Sequence, residues 1–549
     1  MTQSNLSVSS SSSKVLGWAL IGFLVVGMLT LRLQTVLTCG VFHFDEAYYL
    51  LEAKTFREAA DQLPQLLSGH LTLSEFKNRQ MAEGNLFPPG TAKPFFSSLL
   101  IIFGLLPIPL EAAGNLLSLV AAILAGPALY IGARTLGTPK EESVLLAVLL
   151  FVSPIVTYYG DSNLPNVVAF TLFLFSLGAI LKGDFMMAGL YLGLTLTTHY
   201  GTLPSVLLCL IWLMYEILES INPQKTKWLY TIRVFIIFLS PVFVFEGIYQ
   251  FVKWKFSAYW KDITYRTYIE QLFRQVFANA PEGHLEFSRL HRNLHVFEGF
   301  VKTQGLVLTF IMLASLMALW LQSKSLNRRS RGFLCVATTL LLFWLLNPGY
   351  VVSRIAMFLL PGLYLTLALA INLWHRGDLR RIYLIRSALV LLILSSSFRS
   401  WHIIKARISP YPDAKNYLAQ IGYQGPVIDP SNILVWQYYL GRRVDFEKGY
   451  QMNFPMLKKH AFILLNTPQA PRELPFFFKS QWAGDNYDPD LAVFLRKLST
   501  RPPVRSWKIP YAYLAVYQYD VDYAGLSNEE YLQMYWVTKK DFEGIASHG

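Results

Sequence analysis

The stretch "VLGWALIGFLVVGMLTLRLQTVLTCGVFHFDEAYYLLEAKTF" runs from Val15 to Phe56. Its first half is apolar and long enough for the roughly 20 residues that a bilayer core requires. Two adjacent carboxylates, Asp45 and Glu46, then stand among Phe42, Phe44, Tyr48 and Tyr49. Two readings of the acids stand side by side. Asp caps helices well and acids suit a first helical turn. Ionised carboxylates with an aromatic shell near lipid are also functional candidates, able to act as a general base on an acceptor hydroxyl or amine.

The rest of the chain agrees with a membrane setting. Of 549 residues, 53% are hydrophobic and 15% charged, and the mean hydropathy is +0.36. Apolar runs predict eleven membrane helices at about 15–37, 111–134, 142–160, 164–182, 185–200, 202–220, 232–252, 304–322, 333–349, 355–374 and 386–402. The formal charge of +13 is read as the positive-inside bias of cytoplasmic loops, not as nucleic-acid binding. With residues 1–14 in the cytoplasm, the inner linkers include "RTLGTPKEE", "NPQKTKWLYTIR", "QSKSLNRRSRG" and "HRGDLRRIYLIR", the short basic segments. The first run is too long for a signal-peptide core, so it is expected to stay as a helix. Cys39, Cys209 and Cys335 make neither a metal-ligand spacing nor a disulfide framework.

Three large pieces remain outside: a first loop at 38–110, a second at 253–303, and a tail at 403–549. The first loop holds an amphipathic pattern, with Tyr49, Leu50, Ala53, Phe56 and Ala60 on one face and charges on another. A second short helix is expected in "LTLSEFKNRQMAEG". "NLFPPGTAKPFFSSLLIIFGLLPIPL" carries too many prolines for one straight crossing and reads as re-entrant or interfacial. The tail alternates strand-like "GPVIDP" and "HAFILLN" with helix-like "PDAKNYLAQIG" and "NILVWQYYLG", which suggests a small α/β domain.

Other residues suited to chemistry fall on the same outer side. Lys93, in "FPPGTAKPFF", is either a snorkelling lysine or a cation for a lipid phosphate. Asp161 lies in the turn "YYGDSNLP", where turn chemistry alone would also explain it. His199 and Tyr200 sit at a helix break, and Glu246 lies inside an apolar run. Arg354, at the mouth of the tenth helix, is an interface anchor or a second phosphate ligand. No Walker sequence, HExxH, CxxC or Gly-x-Ser-x-Gly appears. ATP-driven pumps, zinc proteases and serine hydrolases are therefore not first choices.

In order, these motifs resemble the GT-C glycosyltransferases, with the protein O-mannosyltransferases and lipid A aminoarabinose transferases nearest by pattern. "FHFDEAYYLLEAKTF" is similar to the first-loop acidic motif of that superfamily. "PPGTAKPFF" is similar to its Lys-Pro-Pro segment, with Phe95 in place of the second proline. "MMAGLYLGLTLTTHYGTLP" resembles its "GLxxGLxxLTKY" helix pair, with His199 where Lys is common. "SRIAMFLLPGLYLTLALA" resembles its Arg-plus-"LPxxP" helix. The likeness covers about residues 15–400.

The resemblance implies a mainly α, polytopic GT-C fold with interfacial helices in the first outer loop and an extracytoplasmic C-terminal domain. It implies an inverting hexosyl- or pentosyltransferase in a plasma membrane, acting outside the cytoplasm. The donor would be a polyprenyl-phosphate-linked sugar and the acceptor a lipid, glycan or protein. Asp45, supported by Glu46, would be the base or acceptor-orienting acid. Asp161 would be the second-loop acid, and Lys93 and Arg354 the phosphate ligands. His199, Tyr200 and Glu246 would line the cavity. Some members use a divalent metal, Mg or Mn, and some none. The rival classes are a transporter or flippase for lipid-linked or anionic solutes, and a surface-polysaccharide polymerase or ligase.

Overall fold

A computed structural model describes residues 5–42, 44–85, 93–220, 224–256, 266–277, 287–346, 357–375, 378–424, 427–429, 433–442, 458, 476–480, 489–508, 530–537 and 539–542. Helix α1 (Asn5–Thr38) leads into the first long loop, which holds α2 (Phe44–Asp61), α3 (Leu63–Leu67), α4 (Leu73–Ala82) and α5 (Pro94–Phe103). The helical body follows as α6 (Leu110–Thr135), α7 (Lys140–Phe151), α8 (Pro154–Gly160), α9 (Asn166–Lys182), α10 (Phe185–Thr198), α11 (Leu203–Ser220) and α12 (Gln224–Phe256). Next come α13 (Tyr268–Phe277), α14 (Phe287–Gln304), α15 (Leu306–Leu321), α16 (Arg328–Leu346), α17 (Leu360–Trp374) and α18 (Leu379–Ala406). The tail holds α19 (Tyr411–Gln420), α20 (Ile433–Leu440), α21 (Pro489–Ser499) and α22 (Lys539–Phe542). Among the described residues of the tail, four strands, β1 (Val427–Ile428), β2 (Phe476–Ser480), β3 (Arg505–Lys508) and β4 (Glu530–Trp536), form one mixed sheet in the order β1-β2-β4-β3. Only β1 and β2 run parallel.

The chain is a multi-pass membrane protein. Among the described residues, seven helices are long and apolar enough to cross a bilayer. Two bent pairs raise this to nine when each counts as one span: α7 with α8 (54°), and the end of α14 with α15 (111°). The sequence expectation of eleven crossings also counts α9 and α10, which are apolar but shorter. Length and composition alone therefore carry nine spans. Helix α5 has ten residues, about 15 Å, and is too short to cross.

Helix α6 is the hub, packing on α1, α5, α7, α8, α9 and α17. Its buried positions include Ala112, Ala113, Gly114, Ala121, Ala122, Ala125, Gly126, Ala128, Gly132 and Ala133. Small residues let backbones approach closely, which drives helix packing in lipid. A Cβ on Gly178 of α9 would lie 3.7 Å from the Gly132 backbone nitrogen of α6.

The two bends share one polar node. Pro154 breaks the ladder between α7 and α8, and Gly305, at φ +106, turns the chain between α14 and α15. Broken helices are tolerated in membranes when side chains re-satisfy the freed backbone. Here Ser400 donates to the Val152 carbonyl (2.8 Å) and Tyr364 to the Leu149 carbonyl (3.4 Å). Gln304 accepts from Ser153 (2.8 Å) and donates to Tyr364 (3.2 Å).

The first loop departs from the expected pattern in one respect. Tyr49, Leu50 and Ala53 are buried as their spacing predicts, but so are Glu46, Glu52 and Thr55, while Phe56 is exposed. Charges were expected on an outer face. Two acids turn inward because each finds a buried donor there. Helix α4 begins with a capping box: Thr72 accepts the Glu75 N–H, and Glu75 accepts the Thr72 N–H.

Candidate functional site

Lys93 is the residue that caps α5, immediately before the helix-starting Pro94. Its side chain is buried, with relative exposure of 8%. Nζ donates to the Tyr49 hydroxyl and stands 4.9 Å from the Tyr49 ring centre and 5.6 Å from that of Tyr200. The ammonium meets the Tyr49 ring at its hydroxyl edge, and the quadrupole of the Tyr200 ring adds to its stabilisation. Tyr49 is itself held edge-on by Phe96, at 5.3 Å. One turn further along both helices, Ser97 donates to Glu52 at 2.7 Å. Burial pushes the Glu52 carboxyl up to about 7, against the Ser97 hydrogen bond that lowers it. Helices α2 and α5 are thus joined by two polar rungs.

Asp45 and Glu46 diverge because successive helical residues point about 100° apart. Asp45 is partly exposed in the first turn of α2, four residues before Tyr49 and so on the same face. Glu46 is fully buried. It accepts the Phe42 N–H (2.8 Å), the Asn163 N–H (3.1 Å) and Nη2 of Arg407 (3.3 Å). The Phe42 contact gives Glu46 a backbone-capping task at the start of α2.

Asp161 does not open on the Lys93 group. It is buried, and its Oδ1 accepts from Nε of Arg32 at 2.8 Å. Arg32 also donates to the Phe151 carbonyl (3.3 Å), and Arg407 to the Tyr158 carbonyl. Glu46, Asp161, Arg32 and Arg407 therefore form a charge-balanced buried cluster of two acids and two arginines. Asn163, two residues after Asp161, ties it to α2 and also donates to Asn115 (2.8 Å). The close fit needs glycines. A Cβ on Gly114 would lie 1.8 Å from Asn163 Oδ1, and one on Gly160 would lie 2.4 Å from Arg32 Nη2.

The remaining candidates separate. His199 is buried; its Nδ1 accepts the Gly201 N–H (3.0 Å), and Nε2 lies 3.4 Å from Asn166 Nδ2. That bond starts the 3-10 turn Tyr200–Thr202, which presents Tyr200 to Lys93. Glu246 accepts the Ile269 N–H (2.8 Å) and Gln250 Nε2 (2.8 Å), so it secures the first turn of α13. Arg354 lies outside the described residues. No group of three or more His, Cys, Asp or Glu able to hold a metal occurs among the described residues. Arg32, Arg407 and Glu52 were not singled out from sequence. Arg32 did carry a signal, as a lone basic residue late in an apolar run.

No family model and no curated protein matches the chain. Solved structures do. ArnT from Cupriavidus metallidurans in the apo state matches with a TM-score of 0.51 at 10% identity, over 95% of this chain and 98% of that one. The chain has the GT-C fold. ArnT from the same organism bound to undecaprenyl phosphate gives a TM-score of 0.49 at 8% identity, covering 97% of this chain and 99% of that one. The Archaeoglobus fulgidus oligosaccharyltransferase tethered with an acceptor peptide gives 0.41 at 13% identity, covering 78% and 61%. Within the GT-C fold of this chain, the first-loop acids lie at the start of α2 and Lys93 at the start of α5, with Tyr49 between them.

Proposed function

We propose that the chain is an integral-membrane glycosyltransferase that takes a sugar from a polyprenyl-phosphate carrier and transfers it on the extracytoplasmic face. The observation that carries this reading is Lys93: a buried cation held by Tyr49, which lies one helical turn after Asp45, and set beside Tyr200, in a chain with the GT-C fold. Breaking a sugar–phosphate bond builds positive charge on the sugar and releases a phosphate. Lys93 receives that phosphate, because a desolvated cation interacts strongly with developing negative charge. Tyr49 holds the ammonium in place. Asp45 is the carboxylate left partly exposed, and it orients or deprotonates the acceptor, with inversion at the sugar carbon.

Glu46 and Asp161 act as positioning residues in this reading. Both are engaged by buried arginines, so neither reaches substrate directly. The same pairing argues against a metal held jointly by Asp45, Glu46 and Asp161. Arg354 keeps its proposed part as second phosphate ligand, and His199 sets Tyr200 beside Lys93. The acceptor is a lipid, glycan or protein.

The test uses the full chain in lipid nanodiscs. Lys93→Ala is expected to weaken binding of undecaprenyl phosphate by about ten- to a hundredfold, the size of a lost charge-assisted hydrogen bond. Asp45→Asn is expected to keep that affinity but fail to restore glycosylation in a strain lacking the chain. Full restoration by both variants, with binding intact, would sink the reading.

A further inference from the structure

The tail touches the first loop and the start of α6 through three consecutive side chains of α20. Gln437 Nε2 donates to the Gly84 carbonyl at the end of α4. The Tyr438 hydroxyl donates to Glu111 in the first turn of α6. The Tyr439 hydroxyl accepts the Val41 N–H, just before α2, at 2.7 Å. Successive residues on a helix point about 100° apart, so three neighbours sweep roughly 200°. The helix therefore meets the two ends of the loop segment and the start of α6 on different sides.

The backbone at the anchors has adapted to that insertion. Gly40 and Gly84 both hold positive φ, at +70 and +77. A Cβ on Gly40 would lie 2.8 Å from the Tyr439 hydroxyl, and one on Gly84 would lie 2.7 Å from Cγ of Gln437. Ser409 adds to the first anchor, donating its N–H to the Cys39 carbonyl at 2.7 Å and its hydroxyl to the Val41 carbonyl at 2.6 Å. On its other side α20 is rooted in the tail, where the fully buried Trp436 donates to Asp429 at 3.1 Å. Burial and the Glu111 carboxylate keep the Tyr438 hydroxyl protonated, well above its usual range, so it stays a donor.

The anchors bracket the chemistry. Asp45 and Tyr49 fall between the anchors at Val41 and Gly84. Lys93 falls between those at Gly84 and Glu111. We propose that Gln437, Tyr438 and Tyr439 are positioning residues, and that α20 is a brace setting the distance between Asp45 and Lys93. The proposal rests on the reading of Lys93 as the donor-phosphate ligand.

The test uses the full chain in nanodiscs, with Tyr438→Phe and Tyr439→Phe combined, since each removes one hydroxyl and keeps the ring. Expected are faster hydrogen exchange at the Val41 amide and about tenfold weaker binding of undecaprenyl phosphate, near the worth of one or two hydrogen bonds. Glu111→Ala should weaken binding as Tyr438→Phe alone does. Glu111→Gln, which keeps an acceptor, should restore it, and a merely structural loss of charge would not be rescued this way. Unchanged Val41 exchange or unchanged phosphate affinity in a folded double variant overturns the brace, provided Lys93→Ala still weakens binding. If Lys93→Ala itself leaves binding intact, the phosphate reading has failed, and the positioning role fails with it.

Discussion

Arg32 and Asp161 make a fully buried ion pair with Nε–Oδ1 at 2.8 Å. Removing one partner of such a pair leaves a desolvated charge without compensation, which costs about 3–5 kcal/mol. Asp161→Asn is therefore expected to lower the thermal midpoint in detergent sharply. Arg32→Met with Asp161→Leu should recover most of the loss, since an apolar pair of similar volume is often neutral. Equal destabilisation by the single and double variants would show that the pair is not the source. The same cluster marks the limit of what the sequence discloses at this scale. Lys93 was legible because prolines flank it, and Asp45 because its acid pair follows an apolar run. The burial of Glu46 and Asp161 was not, because their arginine partners lie 361 and 129 residues away in the chain. Composition and local spacing carry no record of such pairs.

Between elements, the α2–α5 contact depends on a carboxyl that the amphipathic pattern had assigned to an outer face. Glu52 is 2% exposed and, held at about 7 rather than near 4.5, stays largely protonated in mild acid. Below 4.5 the folded and unfolded chains both carry the proton. Between 4.5 and about 7 the unfolded chain releases it and the folded one keeps it, so stability falls as pH rises. Above about 7 the loss is complete, on the order of 3 kcal/mol at most. Glu52→Gln keeps an acceptor for Ser97 and cannot ionise. It is expected to raise the thermal midpoint at pH 8 and to leave it unchanged at pH 4. A parallel pH dependence in variant and wild type would assign the effect to other groups. Sequence spacing found the helix and, of its eight buried positions, Tyr49, Leu50 and Ala53, while Phe56 and Ala60 of the same stripe are exposed. It missed Glu52 because the compensating hydroxyl belongs to another helix.

Across the whole molecule, the contact between α20 and the first loop restricts the topology. The loop at 38–110 and the tail must lie on one side of the membrane, because Tyr439 and Val41 are hydrogen-bonded. The number of crossings between them is then even, so with α1 as a crossing the total is odd. Nine spans, or eleven with α9 and α10, both satisfy this. Apolar runs made these helices readable in the sequence. The 111° turn at Gly305 and the brace were not readable, because one rests on a single glycine and the other on contacts between distant segments. Parity leaves the direction open, and the positive-inside rule predicts one from the basic linkers. Arg328, Arg329 and Arg331 follow Asn327 at one end of α16, so the rule predicts that end in the cytoplasm and the tail outside. In a Cys335→Ala background, Gln420→Cys is expected to react with a membrane-impermeant maleimide on intact cells. Asn327→Cys should react only after the membrane is opened. The two native cysteines left are buried and will not obscure the result. Labelling in the opposite order would invert the topology and place Lys93 and Asp45 in the cytoplasm, where an extracytoplasmic transfer has no use for them.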